Sequence, residues 1–283
     1  MPEFSQSIYY TQYSSGRWDM VKKEIIHEKA ITLTVNGDNW LTFMCTPIQL
    51  EALAVGFLYN EGIIQGLGDI ASTHVCPKGD NVDIWLYNYG AEKPNNWRRT
   101  SGCSGGISSV EVFFNNIPVE ESFLPVECIL TPEIVCELIK QLLGSQSMYK
   151  ISGGVHSSAL SDTKTICISV EDIGRHNTLD KIAGLLLFNE INIKNRVLLT
   201  TGRISSEMLQ KSYRMKATTI ISRTSPSSLS IELAERWGIT LIGYARRNKF
   251  RVYSHPERIG RHIPMQNQHT DKLLPSVPMQ KGD

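Results

Sequence analysis

The chain has 283 residues, 41% hydrophobic and 20% charged, with a formal net charge of +1. That length supports two ordinary domains with their own apolar cores, and the charge balance excludes a strongly basic nucleic-acid surface. The opening MPEFSQSIYYTQYSS has neither the basic nor the apolar region of a secretory leader, and no stretch approaches the roughly 20 apolar residues of a membrane span. A cytoplasmic protein is expected, with no membrane and no nucleic acid among its partners.

Taken in chain order, residues 24–45 read as extended, with a hairpin turn at Asn36–Gly37. TPIQLEALAVGFLYNEGII then reads as a helix, with Thr46 as N-cap, Pro47 in the first turn, an apolar stripe through Leu50, Leu53, Ala54, Phe57 and Leu58, and Gly62 at the exit. A second hairpin is predicted about CPKGDN, with VDIWLYNY as its returning strand. These elements predict an N-terminal α+β domain over residues 17–125, whose last part, EKPNNWRRTSGCSGG, is a long irregular connection of the functional kind.

TPEIVCELIKQLLG repeats the Thr-Pro entry and the glycine exit, and opens a second domain over residues 126–263. From residue 164 short apolar strands alternate with helices: KTICISV, helix 177–190, RVLLTT, helix 205–215, ATTIISR, helix 227–237, ITLIGYA. This alternation predicts an α/β domain with a mostly parallel sheet covered on both faces. Residues 264–283 have no periodicity and read as a mobile tail.

Ligands of an open parallel sheet bind beyond the carboxyl ends of its strands. The segments at those ends are alike: EDIGRHN, GRISSE, RTSPSS and RRNK each set arginine beside glycine, serine or asparagine, and three lead into a helix. Arg175, Arg203, Arg223, Arg246, Arg247 and Lys249 are therefore predicted to converge on one rim, where guanidinium forks and helix N-termini suit a ligand with several phosphates. The competing reading is solvated loop charges with serine caps. No G-x-G-x-x-G or Walker loop is present.

His156 follows the pair Gly153–Gly154 near a predicted helix start, but Ser158 stands where a zinc deaminase needs its acid and no cysteine pair follows, so no metal is expected. His156 and His176 are read either as ligand donors or as capping and core residues. The six cysteines contain no C-x-x-C. Cys45, Cys128, Cys136 and Cys167 read as small buried hydrophobes, and Cys76 is ambiguous. Cys103 differs: Gly102, Gly105 and Gly106 leave its sulfur accessible, and Arg98 and Arg99 lie close enough in sequence to favour a thiolate.

EDIGRHNTLDKIAG, TGRISSEMLQK and LIGYARRNKFRVYS, with EALAVGFLYNEGII, ISGGVHSSAL and SGCSGG, resemble in content and order the formate dehydrogenase accessory sulfurtransferase family (FdhD type), from about residue 24 to about residue 258. The resemblance implies a cytoplasmic homodimer whose C-terminal domain is similar to cytidine deaminases without their zinc. It also implies that the protein takes sulfur from a cysteine desulfurase as a cysteine persulfide and passes it to the molybdenum cofactor, in its bis-guanine-dinucleotide form, for formate dehydrogenase. Carried over by motif, Cys103 bears the persulfide, and Tyr244, Ala245, Arg246, Arg247, Asn248 and Lys249 match the cofactor-binding segment. To these the rim adds Arg175, His176 and Arg203. Many members have a second cysteine where Gly106 stands, so Cys103 is expected to carry sulfur alone. A cofactor-binding chaperone without covalent sulfur transfer is the alternative, and a zinc hydrolase of deaminase type is a third reading.

Overall fold

The computed structural model describes residues 4–91, 93, 98–99, 107–108 and 130–260. The chain begins with a hairpin of two ten-residue strands, β1 (Ser5–Ser14) and β2 (Arg17–Ile26), which starts ahead of residue 17 and pairs with no other strand among the described residues. β3 (Lys29–Val35) and β4 (Asp38–Cys45) follow, joined by Asn36 and Gly37 at φ 51° and 88°, the double positive φ that an Asn-Gly turn accommodates. Helix α1 (Leu50–Asn60), β5 (Ile70–Val75) and β6 (Asn81–Leu86) complete a four-stranded sheet in the order β4-β3-β6-β5, with β3 and β6 parallel. Ile31, Leu33, Val35, Val82, Ile84 and Leu86 point from this sheet at Leu53, Phe57 and Leu58 of α1.

The two Thr-Pro pairs do different work. Thr131 caps α2 (Pro132–Ser145), its hydroxyl accepting from the Ile134 amide. Thr46 caps nothing: α1 begins at Leu50, and the Thr46 hydroxyl accepts from the Ile173 amide while its carbonyl accepts from Lys181, tying the first module to the second.

After the single-turn α3 (Met148–Ser152) come β9 (His156–Ser161), β10 (Ile166–Asp172), α4 (Arg175–Phe188), β11 (Arg196–Thr200), α5 (Ser206–Arg214), β12 (Ala217–Ser222), α6 (Ser228–Arg236), β13 (Thr240–Arg246) and β14 (Lys249–Ser254). Between the modules, two-residue strands β7 (Arg98–Arg99) and β8 (Ile107–Ser108) pair with each other. The large sheet has the order β10-β9-β11-β12-β13-β14. Leu198, Ile220 and Leu241 face α4, α5 and α6, while Val197, Leu199, Ile221 and Ile242 face α2. The expected three-layer α/β arrangement is therefore present.

The expected mostly parallel sheet is corrected: only β11–β12 and β12–β13 pair in parallel, and β9 and β14 make the other pairs antiparallel. Both were missed because hydroxyl-rich HSSALS and charged KFRVYS lack the apolar run that marks a parallel strand. His156 consequently opens a strand, not a helix. β10, β11, β12 and β13 still point the same way, so their carboxyl ends share one edge.

Nine of the eleven residues of α1 are buried, because the helix lies between its own sheet and α4. Contact with α4 is backbone to backbone: a Cβ built on Gly56 would stand 1.8 Å from the Asp180 carbonyl oxygen, and one on Gly184 2.0 Å from that of Ala52. At the same interface the Asp180 carboxylate accepts from Asn60 Nδ2 (2.8 Å) and from Lys211 Nζ (2.7 and 2.8 Å), and Glu61 lies 3.5 Å from the same ammonium. Burial disfavours charge here, but two carboxylates about one ammonium hold the Lys211 pKa above its ordinary value.

Candidate functional site

The shared edge of the large sheet gathers the arginine-bearing loops. β9 runs against its neighbours, so its first residue, His156, stands opposite Asp172 at the end of β10. The loops after β11 and β12 are stitched together: Ile204 N–H donates to Ser225 O and Ser227 N–H to Ile204 O. The next link joins β13, where Tyr244 N–H donates to Thr224 O and Arg246 Nε to Arg223 O at 3.2 Å. Helices α4, α5 and α6 all begin at this edge; Ser205 and Ser227 cap the latter two, while Gly174 precedes α4 without a side-chain cap. The predicted run of arginine loops leading into helix N-termini is thus present in space.

Buried hydroxyls support the rim. Ser158 Oγ lies 2.7 Å from Thr178 Oγ1 and 2.9 Å from Thr200 Oγ1, Thr178 donates to the Arg175 carbonyl, and Thr200 accepts from the Gly202 amide. A Cβ on Gly202 would fall 3.0 Å from Arg175 Cβ, so glycine lets the Arg175 side chain cross the loop below it. The Asp172 carboxylate fixes the turn before α4, accepting from Gly174 N–H, Asn177 Nδ2, Lys181 Nζ and Thr46 N–H.

Charge at the edge is crowded and mostly positive. Burial lowers the His156 pKa, and the Arg175 and Arg203 charges push it further down against an opposing pull from Asp172. Burial, with Lys211, Arg175 and His156 around it, takes His176 down to about 3, so the imidazole is neutral at pH 7. Its Nε2 is buried without a hydrogen-bond partner among the described residues, the Glu207 carboxylate being 3.9 Å away. Arg223 Nε is likewise buried and unpartnered among the described residues. It lines a cleft of about 470 Å³ together with Gln146, Tyr149, Gly154, His156 and Thr201. Gln146, Tyr149 and Thr201 were not singled out from the sequence; the available signal was Gly153, at φ 73°, which ends α3 and turns the chain toward β9.

The segment 244–249 divides between two surfaces. Tyr244, Arg246 and Lys249 line a pocket of about 220 Å³, and the Arg251 guanidinium lies 4.4 Å from the Tyr244 ring centroid. Arg247 and Asn248 form the tight turn between β13 and β14 and face a groove of about 900 Å³ along α2. Both Tyr244 and Arg247 have φ of 52°, a left-handed conformation uncommon for residues of their size. The Ala245 methyl is buried in the core, so backbone is what that residue presents to a ligand. His156, Arg175, His176 and Arg203 thus form one cluster, Arg223 and Arg246 a second beside it, and Arg247 and Asn248 stand apart along α2.

Cys103 lies outside the described residues. Its flanks do not: Arg98 and Arg99 pair with Ser108 and Ile107, bringing together the two ends of the stretch that carries it. Of the other cysteines, Cys45 is buried and its thiol pushed up to about 12, chiefly by burial, which makes it a poor nucleophile. Cys167 departs from its buried assignment and is exposed, because β10 is an edge strand and residues 167 and 169 point away from α4. Cys136 is half-buried at the α2 groove, and Cys128 lies outside the described residues. Among the described residues no three His, Cys, Asp or Glu side chains are grouped as metal ligands, and no helix is long and apolar enough to cross a membrane.

The sequence model of the FdhD/NarQ family matches residues 26–260. A protein of Staphylococcus aureus (strain MRSA252) named sulfur carrier protein FdhD is 33% identical over 257 residues, covering 88% of this chain and 94% of that one. Its namesake in Bacillus subtilis (strain 168) is 31% identical over 249 residues, covering 88% and 95%. A crystal structure from Desulfotalea psychrophila, assigned as a formate dehydrogenase accessory protein, superposes with a TM-score of 0.71 at 27% identity and covers 90% of this chain and 99% of its own.

Proposed function

Because this chain belongs to the FdhD/NarQ family, we propose that it is a sulfur carrier for formate dehydrogenase maturation, with Cys103 as the carrying thiol and the arginine rim as the seat of the acceptor. The Cys103 thiolate attacks the outer sulfur of a cysteine desulfurase persulfide. The donor's S–S bond breaks, its cysteine leaves as a thiolate, and the sulfur remains on Cys103 as a persulfide. The acceptor is the molybdenum bis-guanine-dinucleotide cofactor, bound as cargo, and formate dehydrogenase is the client.

The observation that carries this reading is the convergence of Arg175, Arg203, Arg223 and Arg246 with three helix N-termini on one edge. Two pyrophosphates are a ligand that so much positive charge accommodates, and the buried Arg223 Nε, without a partner among the described residues, is a donor such a ligand would satisfy. The neutral histidines contribute hydrogen bonds without adding charge. The C-terminal module then serves as a cytidine-deaminase-like layer used without zinc, and stoichiometric zinc on metal analysis would overturn that part.

Intact-protein mass spectrometry after incubation with a cysteine desulfurase and cysteine tests the carrier role. One sulfur atom gained by the wild type and not by Cys103→Ala is the expected result. Equal gains, or none, would favour the cofactor-binding chaperone, for which Cys103→Ala leaves formate dehydrogenase maturation intact.

A further inference from the structure

Two acidic residues end β10, and they act on different walls because neighbours on a strand project to opposite faces of the sheet. Asp172 turns toward α4 and holds the turn before it. Glu171 turns to the other face, where its buried carboxylate anchors α3. Its Oε2 accepts from Ser147 N–H (2.7 Å), Ser147 Oγ (3.0 Å) and Met148 N–H (2.8 Å), and its Oε1 accepts from Tyr149 N–H (3.0 Å). Oε1 also accepts from Ser157 Oγ at 3.3 Å, and that hydroxyl accepts from Gln146 Nε2 at 2.8 Å. A helix of five residues has no stability of its own, and Ser147, the residue before α3, makes no side-chain cap. The first amides of α3 are satisfied instead by a carboxylate 22 to 24 residues further along the chain.

The wall held in this way faces the cleft of about 470 Å³. In the sheet, β9 and β11 separate β10, which carries Glu171, from β12, which leads to Arg223, so Gln146 and Tyr149 line the cleft from one side and Arg223 from the other. Between them Ser157 N–H donates to Thr201 Oγ1 (3.0 Å) and Thr201 N–H to Ser157 O (2.9 Å), which fixes the floor. Of α3 only Met148 is buried, so the turn adds little to the core, and what it presents is Tyr149 at the cleft. Glu171 itself is closed to a ligand, since both its oxygens are engaged and it is only 5% exposed. We propose that Glu171 is a positioning residue for the acceptor: through α3 and Ser157 it sets Tyr149 and Gln146 opposite Arg223, and it touches no ligand. Binding constellations need such support, because the groups that meet a ligand must already be locked by hydrogen bonds behind them. This inference rests on the reading of the rim as the acceptor's seat.

Calorimetric titration with guanosine diphosphate tests it, on the full-length wild type, Glu171→Gln, Ser157→Ala, Gln146→Ala and the two double variants that combine Gln146→Ala with each of the others. Glu171→Gln turns an amide nitrogen toward the α3 amides, and affinity should fall about tenfold, the scale on which groups behind a first contact act at other sites. Without ligand, hydrogen exchange at the amides of residues 147–149 should rise in the same variant, which reads the release of α3 directly. Ser157→Ala leaves the carboxylate on α3 and keeps the test decisive if Glu171→Gln folds poorly; a loss of about threefold is expected, the worth of one hydrogen bond. Each loss should be non-additive with that of Gln146→Ala, because both substitutions act through Gln146, whereas a merely structural role gives additive losses or none. A wild type that binds the probe while the variants bind it equally well, or strictly additive losses, would overturn the role of Glu171 alone. A wild type that does not bind the probe would overturn the rim reading, and the role of Glu171 with it.

Discussion

Two polar regions of this molecule sit a few residues apart in sequence and follow opposite rules. Where α1 meets α4, each of these buried carboxylates has an ammonium beside it: Asp172 has Lys181, and Asp180 and Glu61 share Lys211. At the rim, positive charges crowd together, and Arg223 Nε and His176 Nε2 are buried without partners among the described residues. One helix start supplies both regions. In EDIGRHNTLDK, Asp172, Asn177, Asp180 and Lys181 join the modules, while Arg175 and His176 face the edge. Charges that are complete without a ligand hold the fold, and charges left incomplete mark where a ligand belongs.

The contrast breaks most visibly through Lys211. Lys211→Met leaves Asp180 and Glu61 buried without their cation, and a loss of about 3–5 kcal/mol is expected, read by chemical denaturation. Next comes Gly184→Ala. Alanine favours a helix over glycine by ~1 kcal/mol, but its methyl would meet the Ala52 carbonyl, and overpacking of that kind costs about 3 kcal/mol, so net destabilisation is predicted. If either variant proves neutral, the junction is looser than its contacts imply.

A further effect is tied to pH. His176 has a folded pKa of about 3 against an ordinary 6.5, so below 6.5 the unfolded chain takes up a proton that the folded chain refuses. Stability from this residue is therefore complete above pH 6.5 and falls progressively as the pH drops from there toward 3. His176→Asn should flatten that part of the pH–stability curve, and an unchanged slope would remove His176 as its source.

Much of this arrangement is legible in the sequence. Three helices and three strands after residue 174 fall within about two residues of their predicted limits, because apolar runs and serine caps signal both the elements and their starts. The shared edge followed from strand direction, which survived the correction to a mixed sheet. The antiparallel strands β9 and β14 did not announce themselves, nor did the β1–β2 ribbon, whose alternation is of tyrosine and tryptophan with polar residues and buries no core face. The role of Thr46 was illegible for another reason: Thr-Pro signals a helix start locally, but its partners, Ile173 and Lys181, are more than 120 residues away. The junction of Gly56 with Gly184 is equally non-local, since each glycine reads as an ordinary helix weakness until the other helix is seen against it.

Whether the incomplete charges belong to a ligand is decided by calorimetric titration of the wild type and of Arg203→Ala/Arg246→Ala with guanosine diphosphate as probe, alongside their denaturation curves. The expected result is a marked loss of affinity with stability changed by no more than about 0.5 kcal/mol, as for surface substitutions outside a packed network. Unchanged affinity, or a loss of stability as large as that of Lys211→Met, would contradict it and return the rim to the class of structural charge.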